Sequence, residues 1–120
     1  MGKKTQNTRK HERINLKTRV NCLTDSKFLS VFSKNLSEGG ICIQSLQEIE
    51  SGTNFDLQIH LPDNNKPVRI RGEVVWANPL NPRVENEGLF DLGIKFKEVN
   101  PETSIAIRAC IPGKQSGKEH

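Results

Sequence analysis

The chain has 120 residues, of which 33% are hydrophobic and 27% are charged, and its formal net charge is +4. This length suits one domain, which is large enough to bury a core without metal or disulfide support. No apolar run approaches the roughly 20 residues of a membrane-spanning helix, and none follows the basic N-terminus, so we predict neither a membrane span nor a signal peptide.

Basic residues are concentrated at the N-terminus. Residues 1–20 contain seven lysines or arginines and one acid, Glu12, whereas the rest of the chain carries a small excess of acids. Residues 1–13 also lack apolar periodicity, so we predict a basic arm that is mobile without a ligand. Such an arm suits an anionic partner, namely a nucleic acid, a phosphorylated ligand or an acidic membrane. The alternative is a tail that only favours solubility.

The alternation of apolar and polar residues then predicts three strands. The first begins at residue 14 and has an apolar face formed by Ile14, Leu16, Val20 and Cys22. The second spans about residues 27–34. A polar corner at residues 35–40 ends in two glycines, which permit positive φ or the close approach of another molecule. The third strand starts at Gly40 and places two isoleucines on one face, Ile41 and Ile43.

Three more strands follow. The fourth has the clearest pattern, with an apolar face formed by Phe55, Leu57, Ile59 and Leu61. The fifth has an apolar face formed by Val68, Ile70, Val74 and Trp76. Gly72 within this strand predicts a bulge or a sharp bend. We interpret Trp76 as a core residue, and the alternative is an exposed stacking surface for a base. After an irregular loop at residues 78–88, the sixth strand spans residues 89–97, with Phe90, Leu92, Ile94 and Phe96 on one face.

The last predicted element is a short helix. Asn100 suits its N-cap and Pro101 its first position, and Pro112-Gly113 is predicted to end it. Six short strands and one terminal helix indicate an all-β fold, and a barrel is favoured because closure removes exposed edges. We therefore predict a six-stranded antiparallel β-barrel with a short C-terminal α-helix over residues 14–112, followed by a polar tail at residues 113–120.

The sequence argues against an enzyme. The histidines at positions 11, 60 and 120 are scattered, and none has Cys, Asp or Glu at metal-ligand spacing. Ser37 is not part of a Gly-x-Ser-x-Gly elbow, and no glycine loop for a phosphate or dinucleotide is present. We predict no catalytic residue, metal or cofactor. The three cysteines form no Cys-x-x-Cys pair and are odd in number, which favours a reducing cytoplasm over a disulfide framework.

Two short motifs combine chemistry that suits a nucleotide. Arg9 and Arg13 form Arg-x-x-x-Arg, and guanidinium groups both hold phosphates in a bidentate fork and stack on purine rings. Asn35, Ser37 and Gly40 form Asn-x-Ser-x-x-Gly at the polar corner. Asn35 and Ser37 offer hydrogen bonds to a guanine edge, and Gly40 permits close approach. A charged linker or a structural turn explains each motif alone, but the two together, flanking the first two strands, favour a ligand site.

In these motifs the chain resembles the PilZ domain, a bacterial receptor for cyclic di-GMP (c-di-GMP), over about residues 9–96. Gly72–Trp76 is similar to the fifth-strand pattern of that family, and Gly93-Ile94-Lys95-Phe96 is similar to its closing Gly-x-x-Phe. The resemblance implies a six-stranded split barrel with a C-terminal helix. It implies that the ligand lies on the outer surface beside the polar corner and under the N-terminal arm. It assigns c-di-GMP binding to Arg9, Arg13, Asn35, Ser37 and Gly40.

Two positions depart from the common pattern. Asn35 stands where many members carry Asp, which changes the hydrogen bonds to guanine. Thr8 stands where some members have another Arg, a position that the resemblance links to whether one ligand or a stacked pair binds. Secondary candidates for ligand contact are Thr8, Lys10, Gly39 and Trp76. No second domain is recognised, so the resemblance implies an adaptor that changes conformation and signals to a protein partner.

The leading hypothesis is therefore a cytoplasmic c-di-GMP receptor. One alternative is a PilZ-like protein-interaction module with weak or no nucleotide binding. A second alternative is a small β-barrel that binds RNA or single-stranded DNA through its basic arm. Binders of that kind display aromatic side chains on a sheet face, whereas most of the five phenylalanines occupy positions typical of a core. This distribution argues against the second alternative.

Overall fold

A computed structural model describes residues 13–62, 64–79 and 89–111. In these residues the chain forms seven strands and one helix: β1 (Ile14–Asn15), β2 (Arg19–Leu23), β3 (Phe28–Leu36), β4 (Gly40–Ser45), β5 (Asn54–Ile59), β6 (Val68–Pro79), β7 (Phe90–Lys97) and α1 (Pro101–Arg108). None of the helical structure in the described residues is long and apolar enough to span a bilayer.

Six of the strands close into a barrel. Neighbours follow the order β3-β2-β5-β6-β7-β4, every pair is antiparallel, and the pairing of β3 with β4 completes the ring. The predicted six-stranded antiparallel barrel with a C-terminal helix is thus confirmed. The seventh strand, β1, is a two-residue addition that pairs with the end of β3.

The predicted first strand is interrupted between β1 and β2. Its alternation is real, because Leu16 packs against the core and Val20 is fully buried. The interruption arises at Ser33 of β3, a buried side chain. Its hydroxyl donates to the Leu16 carbonyl and accepts from the Thr18 N–H at 3.0 Å. One side chain thus bonds the Leu16 carbonyl and the Thr18 N–H, so these two backbone groups are satisfied where the chain leaves the regular ladder.

The barrel interior and the helix follow the predicted patterns. The inward face of β5 is fully buried, through Phe55, Leu57 and Ile59. At the start of α1, Asn100 Oδ1 accepts from the Thr103 N–H at 2.8 Å, and proline occupies the first turn. The helix ends at Arg108, before the predicted stop at Pro112-Gly113. Ile107 and Ile111 join the core cluster, so the helix segment covers part of the barrel core.

Strand β6 departs from its predicted pattern at a bulge. The ladder passes through Gly72, which pairs with Phe55 and Phe96, without a register shift. The shift lies between Val74 and Trp76, so the bulge predicted at Gly72 occurs further along the strand. Because one extra residue reverses the alternation, Val74 stays buried while Trp76 turns outward and is 41% exposed. The prediction that Trp76 belongs to the core is wrong. The strand also continues to Pro79, so the predicted loop from residue 78 starts later.

The three cysteines are expected to differ in reactivity. Cys22 is fully buried, and burial raises the pKa of its thiol to about 12. Burial also raises the pKa of the Cys42 thiol, whereas Cys110 is half-buried. Because the thiolate is the nucleophile, iodoacetamide at about pH 8 is expected to modify Cys110 first and Cys22 only after unfolding. Mass spectrometry of peptides measures this order, and equal modification of Cys22 in buffer and in urea would contradict it.

Candidate functional site

The corner between β3 and β4 is held together by Ser37. This side chain is buried, and its Oγ accepts the N–H groups of Gly39 and Gly40, both at 3.2 Å. The Ser37 N–H donates to the Gly40 carbonyl at 2.9 Å. Asn35, which was predicted to begin the corner, is instead part of β3. Ser37 therefore forms the turn, and its hydroxyl is already bonded to the local backbone.

The glycines of the corner allow β7 to approach. A Cβ atom on Gly40 would overlap the carbonyl oxygen of Ile94 in β7. The Gly39 carbonyl accepts the Phe96 N–H at 2.9 Å. Among the described residues, positive φ occurs at Gly52 and Glu98 and at neither corner glycine. Of the two explanations offered by the sequence, the corner thus uses close approach, and the molecule that approaches is the protein's own backbone.

Arg13 connects the two motifs. Its Nη1 donates to Asn35 Oδ1 at 2.6 Å, across 22 positions of sequence. The side chain of Arg13 is exposed and that of Asn35 is half-buried. Among the described residues, Arg13 forms no ion pair. The guanidinium is therefore oriented by one neutral hydrogen bond and keeps most of its donors for another group.

Five residues form a line across the outer surface of the barrel, perpendicular to the strands. The register pairs each with the next, in the order Asn15, Asn35, Cys42, Gly93 and Trp76. Directly paired residues share a face of a sheet, and the adjacent pair of β4 and β7, Ile43 and Leu92, is buried inside. We call these five residues the outer row. Asn35 and Trp76 were predicted as candidates, whereas Asn15 and Cys42 were not.

Two bulges bring Asn35 and Trp76 into the outer row. On β3 the inward positions are 29, 31 and 33, so regular alternation would turn Asn35 inward. The register shift between Ser33 and Asn35 reverses this and turns Asn35 outward. The shift between Val74 and Trp76 does the same on β6. Bulges that redirect a side chain are over-represented beside functional sites, and here both act on the same row.

Gly93 provides the space in which Trp76 lies. A Cβ atom at position 93 would occupy the volume of the indole, closest to its Cε2 and Nε1 atoms. The indole therefore rests over the backbone of β7, and much of the ring remains exposed. The result is a flat aromatic surface in the same row as Asn35, separated from it by Cys42 and Gly93.

Charged groups flank the row at the β3 bulge. Lys34 Nζ lies 2.7 Å from Asp91 Oδ2, and this hydrogen bond raises the pKa of the lysine. Gln44 Nε2 donates to the other oxygen of Asp91 at 3.5 Å. Cys42 is buried, and this burial raises the pKa of its thiol. The thiol is therefore neutral at physiological pH, and Asp91 balances the charge of Lys34.

The corner is also connected to the helix. Arg108 Nε of α1 donates to Glu38 Oε2 at 3.0 Å, and Glu38 lies between Ser37 and Gly39. The other side of the guanidinium donates from Nη2 to Ser104 Oγ at 3.4 Å. A movement of the corner would therefore change the distance between Glu38 and Arg108, and so affect the ion pair that connects the corner to α1.

The structure thus brings together Arg13, Asn35 and Trp76 on one face, with Ser37, Gly39 and Gly40 in the adjoining corner. The candidates Thr8, Arg9 and Lys10 lie outside the described residues. Asn15 and Cys42 could have been suspected from their polar-face positions in strand alternation. Their alignment with Asn35 depends on the register between strands, which no local pattern contains.

Comparison with known proteins gives a family and a set of similar structures. The sequence model of the PilZ domain matches residues 7–112. Inhibitor of motility (MotI/DgrA) of Bacillus subtilis has a TM-score of 0.70 at 19% identity, over 93% of this chain and 53% of that chain. The PilZ domain of YcgR from Escherichia coli, solved with c-di-GMP, has a TM-score of 0.67 at 13% identity, over 92% of this chain and 95% of that chain. PlzA of Borreliella burgdorferi, in complex with c-di-GMP, has a TM-score of 0.56 at 22% identity, over 88% of this chain and 41% of that chain.

These structural similarities support the barrel fold, since all three identities are low. The chain spans about half the length of the MotI/DgrA chain. A search of curated protein sequences finds no match. The family match rests on the sequence itself and covers most of the 120 residues. The chain therefore belongs to the PilZ domain family.

Proposed function

We propose that this chain is a c-di-GMP receptor that holds the dinucleotide on the outer row, between its N-terminal arginines and the β3–β4 corner. The observation that supports this most directly is the Arg13–Asn35 hydrogen bond. It places one residue from each motif on the same face, although 22 positions separate them. Solved PilZ structures of YcgR and PlzA contain c-di-GMP, and membership of their family makes this ligand the first candidate.

The chemistry of Arg13 and Asn35 suits a guanine nucleotide. A guanidinium has five N–H donors, and Asn35 uses one of them. The remaining donors match the paired oxygens of a phosphate, and the flat group also stacks on a purine. Asn35 uses its Oδ1 for Arg13, so its amide N–H groups are available to a guanine acceptor. Arg9 is proposed to bind the second phosphate.

Trp76 and Gly93 suit the base itself. An exposed indole offers a flat π surface, and stacking of a base on such a ring contributes about 1–3 kcal/mol. Gly93 carries no side chain that would keep a base away from the row. We therefore assign Trp76 to base stacking, which was the alternative when the sequence alone was considered.

Ser37 and Gly40 act as positioning residues in this proposal. To contact a ligand directly, the Ser37 hydroxyl would have to give up its bonds to the backbone of residues 39 and 40. Gly40 is required for the approach of β7. Both residues fix the corner that follows Asn35, so their replacement affects binding through the placement of that side chain.

The proposed output is a conformational signal to a protein partner, and the chain acts as a binding module without catalysis. A ligand that brings the arm and the corner closer together would change the geometry of the ion pair between Glu38 and Arg108. This pair connects the corner to α1, so it offers a route from the ligand to a second surface of the molecule. A ligand shifts such an equilibrium only by its difference in affinity for the two states.

Titration with c-di-GMP is the test of this function. Trp76 is the single tryptophan and the chain has no tyrosine, so intrinsic fluorescence reports on the outer row. We expect a saturable change of Trp76 emission with c-di-GMP, with binding heat of the same midpoint by calorimetry, and much weaker effects with GMP, ATP or a single-stranded oligonucleotide. Equal binding of the oligonucleotide would indicate non-specific electrostatics instead. Absence of any nucleotide binding would favour the protein-interaction module.

A further inference from the structure

The first half of β3 has an edge with no strand beside it. On one side β3 pairs with β2 along residues 28–32, and on the other it pairs with β4 only from Phe32 onward. Within the described residues, no strand pairs with residues 28–31 on the β4 side. β3 and β4 therefore diverge, and a split opens in the barrel wall between them. An unpaired edge of this kind is a template for another extended segment.

The backbone of Ser30 points into this split. The Ser33 N–H donates to the Thr18 carbonyl at 2.8 Å, which identifies the residues of β3 that bond towards β2. Bonding alternates along an antiparallel strand, so Leu29 and Val31 also bond towards β2. Ser30 lies between them and directs its N–H and C=O to the open side. These groups have no ladder partner among the described residues.

The split forms a cleft with apolar walls. Its volume is about 360 Å³, and it lies between residues 29–32 of β3 and residues 44–47, with Leu89 also lining it. Leu46 is 73% exposed at one wall, and Phe32 is 43% exposed at the other. Exposed apolar side chains around an unpaired edge are typical of surfaces that bind another chain.

The charge of the cleft is positive. Lys17 is the charged residue that lines it within the described part of the chain. Lys17 Nζ lies 5.3 Å from the centre of the Phe32 ring, and the Arg19 guanidinium carbon lies 5.2 Å from the same centre. The two cations cover part of the ring, which leaves less of it for stacking by a nucleic-acid base. They remain well placed for carboxylates of a bound peptide.

We propose that this cleft is the docking site for an extended, acidic segment of a protein partner, which adds a strand to the open edge of β3. Such augmentation takes its affinity from backbone hydrogen bonds and its specificity from alternate side chains. Here the backbone partner is Ser30, the apolar contacts are Phe32 and Leu46, and the charge contacts are Lys17 and Arg19. The proposal does not depend on nucleotide binding, so it is tested without nucleotide.

The probe is a fluorescein-labelled peptide of alternating glutamate and valine, about eight residues long. We expect saturable anisotropy with the full chain. The double variant Lys17→Glu with Arg19→Glu should weaken binding by about tenfold or more. The matched control is Lys66→Glu with Arg69→Glu, which makes the same change of charge at exposed positions near and on β6. Because β6 lies opposite β3 in the barrel order, the affinity of this control should stay within about twofold of that of the parent protein.

A second pair of measurements tests the backbone contact. Ser30→Pro removes an N–H that the β2 ladder does not use, as tolerated at an edge, and should also weaken binding by about tenfold. A peptide in which proline replaces each valine should fail to bind. If Ser30→Pro does not fold, the proline peptide and the charge variants still decide the matter.

Three results would overturn the proposal. The first is equal or tighter binding of a peptide in which lysine replaces glutamate, or no saturable binding of the acidic peptide. The second is tighter binding of a single-stranded oligonucleotide at this cleft, lost with the Lys17 and Arg19 changes. The third is self-association in sedimentation experiments that Ser30→Pro abolishes, which would identify a second copy of this chain as the occupant.

Discussion

Arg13→Ala is expected to weaken c-di-GMP binding by about tenfold or more, with no measurable change in thermal unfolding. A hydrogen bond to a charged group contributes about 1.5–3 kcal/mol, which corresponds to a factor of about ten or more. Arg13 is exposed and lies before β1, where a hydrogen bond to Asn35 connects it to the barrel. Its removal should therefore cost less than about 0.5 kcal/mol of stability. Calorimetry and thermal melts measure the two effects.

Three variants distinguish a specific contact from general attraction. Arg13→Lys keeps the charge but loses the bidentate geometry of the guanidinium, so c-di-GMP binding by this variant should also be severely impaired. Arg9→Ala should resemble Arg13→Ala if both arginines bind phosphates. Lys3→Ala with Lys4→Ala removes charge from the same basic arm outside the motif, and should have little effect on c-di-GMP affinity. The opposite outcome is that the lysine pair and the arginines cause losses of affinity of similar size, with a steep dependence on salt. That result would show that Arg-x-x-x-Arg acts only as part of a basic tail.

The fold could be predicted where alternation is regular. The inward residues of β5 are separated by polar residues and are bounded by turn signals, so each was assigned to the correct face. The helix start at Asn100 and Pro101 was also predictable, because capping depends on residues that are adjacent in sequence. These features are local, and local patterns determine them.

The site was less predictable because it depends on two bulges. The stretch Val74-Val75-Trp76 consists entirely of good strand formers, and nothing in it indicates which residue is the extra one. The determining contact is with Gly93 on the neighbouring strand, where a missing side chain makes room for the indole. The same holds for Asn35, whose outward direction depends on a shift between β3 and β4. Motif spacing found Asn35, but alternation assigned Trp76 to the wrong face.

The exposed phenylalanines show the same limit. Phe28 and Phe32 lie on the second predicted strand, for which no inward face was predicted, and they are 61% and 43% exposed. They alternate with Leu29 and Val31, and both faces of this half of β3 are apolar in sequence. The pattern therefore could not decide which face is inside. The argument against nucleic-acid binding therefore rests on the other three phenylalanines, Phe55, Phe90 and Phe96, which lie in the core or pack against it.

Gly40→Ala is expected to give the largest loss of stability of any single methyl addition to the corner, about 3 kcal/mol. The new Cβ would overlap the Ile94 carbonyl oxygen, which is backbone in the middle of a paired strand and cannot rotate away. Relief therefore requires β4 and β7 to separate at the point where they close the barrel beside β3. For a domain of this size, the midpoint of thermal unfolding should fall by roughly 10–20 °C.

Two other glycines provide the controls. Gly52→Ala adds a methyl group into open space, and its cost arises only from a φ of 95°, so it should lose about 1–2 kcal/mol. Gly93→Ala also creates an overlap, but with the indole of Trp76, a side chain on the surface that is able to move. It should therefore change Trp76 emission and weaken c-di-GMP binding, with a smaller loss of stability than Gly40→Ala. A Gly40→Ala protein that melts like the parent would show that β4 and β7 do not require this close approach.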